Sequence, residues 1–269
     1  MDSLLDVSTS DFVTTIRMNR PPVNALVPEL QEQLIEALNR VKDQDATRVV
    51  VLTSAIERYF MAGADIKAMG GDGGFDRENP ATLERVAQMS RRSQAAFSEI
   101  EHFPKPLIAA INGHALGGGC ELALACDYRL MIDDGRSTIG QTETNLGLIP
   151  GAGGTQRLPR LIGRARATEM IFESTRLKAP EAAAIGLING ALPVDGFQAA
   201  ALERARRLAQ AAPIALRLAK EALLAGLERP QGKGYEVEAE NFGRASMTED
   251  AMIGIMSFVS KQQPDFKGK

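Results

Sequence analysis

In the stretch "GHALGGGCELALACD", three consecutive glycines, Gly117, Gly118 and Gly119, lead into an apolar run that carries one carboxylate, Glu121. A glutamate in the first turn of a helix is stabilised by the helix dipole and need do nothing more. Its neighbours Leu122, Ala123, Leu124 and Ala125 cannot solvate it, however, and desolvation raises a carboxyl pKa toward the range a general acid or base needs. The residues alone leave both readings open. Glycine costs about 1 kcal/mol relative to alanine inside a helix, so the triplet has to serve some other purpose. At a helix N-terminus the first amides lack intrahelical partners, and glycine lets an outside group come close to them. A strand, "LIAAI", delivered into such a helix makes an anion or oxyanion site. Taken alone, a glycine triplet reads first as tight helix–sheet packing and a turn.

A second carboxylate, Glu143, lies in "IGQTETNLGLIPGAGG", a polar, turn-like segment. Taken alone it is a solvated loop residue; its interest comes from pairing with Glu121. A second small-residue junction occurs in "YFMAGADIK", where Ala62, Gly63 and Ala64 precede Asp65, a candidate helix cap. Amides from two separate strand-to-helix junctions can share one oxygen atom. Removing one donor from such an oxyanion hole typically costs roughly 3–4 kcal/mol.

Competing chemistries fit less well. Neither "GGGC" nor "PGAGGTQ" carries the lysine and hydroxyl residue of a phosphate-binding P-loop. Asp72 and Asp76, in a loop with Gly70, Gly71, Gly73 and Gly74, lack calcium-loop spacing, and that loop is expected to be a flexible lid or linker. Cys120 and Cys126 match neither a zinc pattern nor a redox pair, and with His102 and His114 they form no ligand cluster; no metal is expected. His114 reads as a packing or pocket-wall residue. Arg157, Arg160, Arg164 and Arg166 form a basic stretch that reads first as a solvated or subunit-contact face, with the holding of phosphate groups a secondary use.

The elements that must hold these residues alternate. A strand over 12–18 and a turn-rich "NRPPVNAL" lead to a helix from Pro28 with Leu30, Leu34, Leu38 and Val41 at helical spacing. "RVVVLTS" and "PLIAAING" have the continuous apolar character of strands covered on both faces, with a long helix ending near Ile100 between them. This order predicts an α/β fold with parallel pairing. From Gly196 alanine- and leucine-rich helices take over, with Leu216, Ala219, Leu223 and Leu227 on one face of a helix begun by Pro213, and Thr248 capping the last one. The division is therefore a core over residues 1–195 and a helical region over 196–269. A length of 269 residues, 44% apolar and 24% charged, with net charge −3, suits a globular protein and gives no support to a nucleic-acid partner. No run approaches the ~20 apolar residues of a membrane span, and the acidic start resembles no targeting peptide, so a cytoplasmic location without a membrane partner is expected.

Together "NRPPVNAL", "VVVLTS…FMAGADIKAM", "KPLIAAINGHALGGGCELALACD" and "GQTETNLGLIPGAGGTQRLPRLIG" resemble the successive signatures of the crotonase (enoyl-CoA hydratase/isomerase) superfamily, and the closing "TEDAMIGIMSFVSKQQPDFKG" is similar to its last helix. The resemblance implies a crotonase-like spiral of ββα units with a helical C-terminal region, assembled as a trimer or a dimer of trimers. It implies an acyl-CoA thioester substrate, no metal and no redox cofactor, coenzyme A being part of the substrate, and a place in fatty-acid β-oxidation. The amides of Ala64 and Gly118 would form the oxyanion hole. Glu121 and Glu143 would hold one water for addition across C2–C3, with Glu121 assisting attack at C3 and Glu143 supplying the proton at C2. Pro22, Val23, Ala25, Ala62, Asp65, Ile66, Lys67, Gly117, Thr142 and Gly151 would line the substrate. The chain departs from the family pattern at Pro22, where a basic residue often contacts coenzyme A, at Thr142, which replaces a proline, and in "YRLMIDDGRST", which is slightly longer.

Two rivals follow. An enoyl-CoA isomerase needs one glutamate near position 143 to shuttle a proton. A non-catalytic relative that binds acyl-CoA or RNA would keep the scaffold alone, although the chain lacks the aromatic–basic strip that RNA favours.

Overall fold

Strand β3 (Val49–Ser54) is buried at all six positions and β5 (Leu107–Ile111) at all five, so both must be covered on two faces. The computed structural model describes residues 3–65, 80–228 and 233–269. Ile66, Lys67 and the glycine-rich lid or linker expected after them lie outside the described residues. Among the described residues the covering is provided by two sheets and ten helices. The larger sheet runs β1 (Leu5–Ser10), β2 (Val13–Met18), β3, β5, β7 (Tyr128–Asp133), β9 (Gly190–Pro193). Its first pair is antiparallel and the others are parallel. The smaller is wholly parallel, in the order β4 (Tyr59–Met61), β6 (His114–Leu116), β8 (Ile139–Gly140).

Chain order turns these sheets into a spiral. A long strand in the large sheet is followed by a short strand in the small one, then a helix. β3 and β4 precede α2 (Pro80–Glu101); β5 and β6 precede α3 (Gly118–Leu124); β7 and β8 precede a 3-10 turn, Glu143–Leu146. The first unit is abbreviated: β2 leads to a single parallel bridge from Leu26 to Ala64, then to α1 (Pro28–Val41). This is the expected α/β spiral of ββα units.

Alternation along the strands decides which layer each side chain joins. Val50, Leu52, Leu107, Ala109 and Ile111 point into the main core with Leu30, Leu34, Leu38 and Val41 of α1. Val49, Val51, Ile108 and Ala110 point the other way, against Phe197, Ala201, Ala205 and Ala209 of α7 (Phe197–Ala209). Those four recur every fourth residue, one stripe of a helix. Fully burying each leucine or valine stabilises by roughly 1.5–3 kcal/mol. The helical C-terminal region thus begins with a helix that seals the sheet, and α8 (Pro213–Glu228), α9 (Lys233–Ser246) and α10 (Glu249–Ser260) stand beyond it.

Three differences from expectation have local causes. β1 is absent from the sequence reading because Leu5 is its only buried residue, so no apolar alternation marks it. The expected stripe on α8 is not a core face. Leu223 and Leu227 are 71% and 58% exposed and border a groove with Tyr235 and Phe242 of α9, while Leu218 and Ala225 are the buried residues. In α10 the Thr248 hydroxyl accepts from the Ala251 amide at 3.0 Å, the expected cap. Among the described residues no helix is long and apolar enough to cross a membrane. Between α2 and α7 the remaining helices are α4 (Gly154–Ile162), α5 (Arg164–Phe172) and α6 (Ala179–Ala184), besides α3.

Candidate active site

The glycine triplet divides into three tasks. Gly117 caps α3 with φ +52° and ψ −120°, a conformation that L side chains rarely adopt. Its own amide is taken by Gly140 of β8 at 2.9 Å, and the bend then turns the next amide, that of Gly118, out of the sheet. Gly119 has no room for a side chain, since a Cβ there would fall 2.1 Å from the Met61 carbonyl oxygen. That close contact lets α3 lie directly on β4, so the packing explanation holds for this one glycine.

The amide of Ala64 is freed by a parallel argument. Gly63, with φ +97°, accepts from the Leu26 amide at 2.7 Å, and Asp65 donates to the Leu26 carbonyl at 3.2 Å. In a parallel bridge the residue between those two bonds points its own amide the opposite way. That direction is toward α3. A Cβ built on Gly118 would lie 3.8 Å from the Ala64 nitrogen, and one built on Gly63 would lie 3.8 Å from the Gly118 nitrogen. Two amides from distant parts of the chain therefore lie near one another, each preceded by a glycine of positive φ.

Glu121 is 3% exposed, and its Oε1 accepts from the amides of Ala152 at 2.7 Å and Gly154 at 2.8 Å. Those amides open α4, so the "PGAGGTQ" segment is an anion cradle after all, filled by a carboxylate of the same chain. Burial raises the Glu121 pKa, while the two amides and the Arg157 charge pull it down. Oε2 has no hydrogen-bond partner among the described residues and is not sealed from solvent. It is the oxygen available for chemistry.

Glu143 opens the 3-10 turn, half-buried, with its Oε1 2.9 Å from where a Cβ on Gly117 would stand. Its carboxylate thus overlies the bend that presents Gly118. Burial first, and the Glu121 charge second, push it up to about 7. Gln141, fully buried, reaches both Glu143 oxygens with its amide NH2, at 3.3 and 3.2 Å, once the group is turned to satisfy the network. A Cβ on Gly154 would meet the other end of that Gln141 amide, its oxygen in this orientation, at 2.4 Å and Glu121 Oε1 at 3.0 Å. Gln141 therefore lies against Glu143 on one side and close to the Glu121 cradle on the other.

The other expected residues surround this centre with uneven involvement. The Val23 carbonyl accepts from Ala62 at 3.1 Å, and the Ala25 carbonyl accepts from Arg20 at 3.3 Å, which stitches "RPPVNAL", with Pro22, to the Ala64 strand. Asp65 pairs with Arg20 at 2.9 Å, and the segment whose helix it was expected to cap lies outside the described residues. Thr142 precedes the Glu143 turn, and the Gly151 carbonyl is held by Ser90 at 2.6 Å and Gln94 at 3.1 Å. His114 packs against Tyr59, as expected. Cys120 and Cys126 are buried and burial pushes both thiols up, Cys126 to about 12, so neither supplies a thiolate. Among the described residues one group has metal-ligand spacing, Glu101, His102 and Glu228, but Glu101 is paired with Arg157 and His102 with Glu228.

Two residues give little sign of themselves in the sequence, and a third has another place than its neighbours suggest. Gln141 stands two positions before Glu143, the same-side spacing of an extended chain, and that was its only signal. Asn24, buried with φ +51°, ties Ser54, Phe60 and Arg20 together from the middle of a loop. Arg157 was grouped with a solvated basic face; instead it is nearly buried against Glu101 at 2.7 Å.

Residues 8–269 match the family model described as enoyl-CoA hydratase/isomerase. The chain is 41% identical over 262 residues to mouse (Mus musculus) "Enoyl-CoA hydratase domain-containing protein 2, mitochondrial", covering 96% of this chain and 85% of that protein. It is 34% identical over 258 residues to the crotonyl-CoA hydratase of Syntrophomonas wolfei, covering 96% and 95%. The crystal structure of an enoyl-CoA hydratase from Bacillus anthracis superposes with TM-score 0.89 at 39% identity, over 99% of this chain and 100% of that one.

Proposed function

Given that the chain belongs to the enoyl-CoA hydratase/isomerase family, we propose that it adds water across the C2–C3 double bond of a 2-enoyl-CoA. The observation that carries this reading is the presence of two carboxylates, Glu121 and Glu143, beside two converging amides. An isomerase would need only one of them.

In the proposed reaction the thioester oxygen accepts from the Ala64 and Gly118 amides. Water held between Glu121 Oε2 and Glu143 attacks C3. Glu121 takes one water proton as the C3–O bond forms, and the C2–C3 π electrons move toward the thioester, whose oxygen gains negative charge. Protonated Glu143 then delivers its proton to C2, giving the 3-hydroxyacyl-CoA. Transfer of the proton from Glu121 to Glu143 restores the starting state. The raised pKa of Glu143, about 7, suits a group that must carry that proton near neutrality. The amides are fixed before the charge develops, which is where such donors contribute most. No step calls for a metal or a redox cofactor.

Loss of the ultraviolet absorbance of crotonyl-CoA, with product analysis, tests the assignment. Appearance of 3-hydroxybutyryl-CoA supports it. Double-bond migration in a 3-enoyl-CoA without hydration would favour the isomerase instead, and tight RNA or acyl-CoA binding without turnover would favour a binding protein. We also propose that the exposed Leu223, Phe242, Ile255 and Phe258 of α8–α10 support the expected trimer or dimer of trimers, to be checked by light scattering.

A further inference from the structure

Arg157 holds the cradle of Glu121 from behind. Its Nε and Nη2 donate to Glu101 Oε2 at 2.8 and 2.7 Å, and its Nη1 donates to the Ala152 carbonyl at 3.0 Å. The amide of that same Ala152 grips Glu121 at 2.7 Å. Gly153, with φ +110°, leaves the space that Arg157 fills, since a Cβ there would lie 2.1 Å from Nη1. Helix α2 secures the preceding residue too, through Ser90 and Gln94 on the Gly151 carbonyl. Positions 90, 94 and 101 lie on one helix face, so one element grips the whole loop.

We infer that Arg157, locked by Glu101, is a positioning residue for the reaction: it fixes the Ala152–Gly154 amides and thereby aims the open oxygen of Glu121. The inference rests on the hydratase reading. The guanidinium charge also favours ionised Glu121, opposing the effect of burial.

The test uses the full-length protein with crotonyl-CoA and the variants Arg157→Met, Arg157→Lys and Glu101→Gln. Arg157→Met should lower kcat about 10–100-fold with KM within about twofold, the signature of lost orientation with binding retained. The acid limb of its kcat/KM profile should move to higher pH, because Glu121 then holds its proton more tightly. Arg157→Lys restores the charge without the planar fork, so it should recover the pH limb and only part of kcat. Glu101→Gln should lower kcat in the same direction. Hydrogen exchange of the Ala152 and Gly154 amides should quicken in all three variants without substrate present. An unchanged kcat and pH limb with unchanged exchange in folded Arg157→Met overturns the inference. Should that variant not fold, the same null result in both Arg157→Lys and Glu101→Gln overturns it. A wild-type protein that fails to hydrate crotonyl-CoA refutes the hydratase reading instead, and the exchange measurement still decides whether Arg157 holds the cradle.

Discussion

The α3 helix and the 3-10 turn each bring one carboxylate to the same place, but they hold it differently. Glu121 is buried and tied by two backbone amides at the start of α4, with Arg157 behind them. Glu143 is half-buried, lies on a short turn, and is approached by a side chain, Gln141. Backbone amides fix an oxygen's position and favour its charge; a side-chain amide on a turn leaves more freedom. In the proposed reaction this pair of identical residues would thereby gain two characters, a fixed proton acceptor and a looser proton carrier. The difference comes from the elements, not from the side chains.

The largest effect that this contrast predicts is on Glu121→Gln, which should lower hydration of crotonyl-CoA by about 10³–10⁴-fold. A variant hydrating at the wild-type rate would remove Glu121 from the chemistry. Glu143→Gln should cost somewhat less, about 10²–10³-fold, because bound water can deliver a proton poorly in its place. If the two losses were reversed in order, the assignment of fixed acceptor and mobile carrier would have to be exchanged.

Gly117→Ala tests the bend that serves both sides. The new methyl group would need a left-handed backbone and would stand 2.9 Å from Glu143 Oε1. Strain of about 1–3 kcal/mol and displacement of Gly118 should lower kcat about tenfold or more and reduce Tm. Wild-type kinetics in this variant would show that the Gly118 amide does not depend on the bend.

The smallest effect is on stability. The Glu143 pKa is raised from 4.5 in the unfolded chain to about 7 in the fold, so the native state binds this proton more tightly. Its favourable contribution is complete below pH 4.5 and is lost as pH rises through about 7. Glu143→Gln, which cannot ionise, should therefore be more stable than wild type at pH 8, by about 2–4 °C in Tm for each kcal/mol of charge burial relieved. The gain should fade as the pH is lowered toward 5. A Tm difference independent of pH would mean that Glu143 is solvated and unperturbed.

What the sequence disclosed follows from how local each signal is. Strands β3 and β5 and helix α1 were visible because their apolar residues repeat with the period of the element itself. Gly117–Gly119 was visible as a demand for unusual backbone, though not how the demand was shared among conformation, ligand approach and contact with Met61. Gln141 and Asn24 were missed, and Arg157 was assigned to a solvated face, because their partners, Glu143, Ser54 and Glu101, are brought to them only by the winding of the chain. Arg157 and Glu101 are 56 positions apart, and no local pattern marks such a pair. β1 was missed for the opposite reason: an edge strand with one buried residue carries almost no pattern.

The most direct measurement is a crystal structure with a bound, non-reacting enoyl-CoA analogue. The thioester oxygen should lie about 2.7–3.1 Å from both the Ala64 and Gly118 nitrogens. One water or hydroxyl oxygen should touch both Glu121 Oε2 and Glu143. A thioester oxygen bound by one amide alone, or carboxylates that contact no common oxygen, would contradict the account.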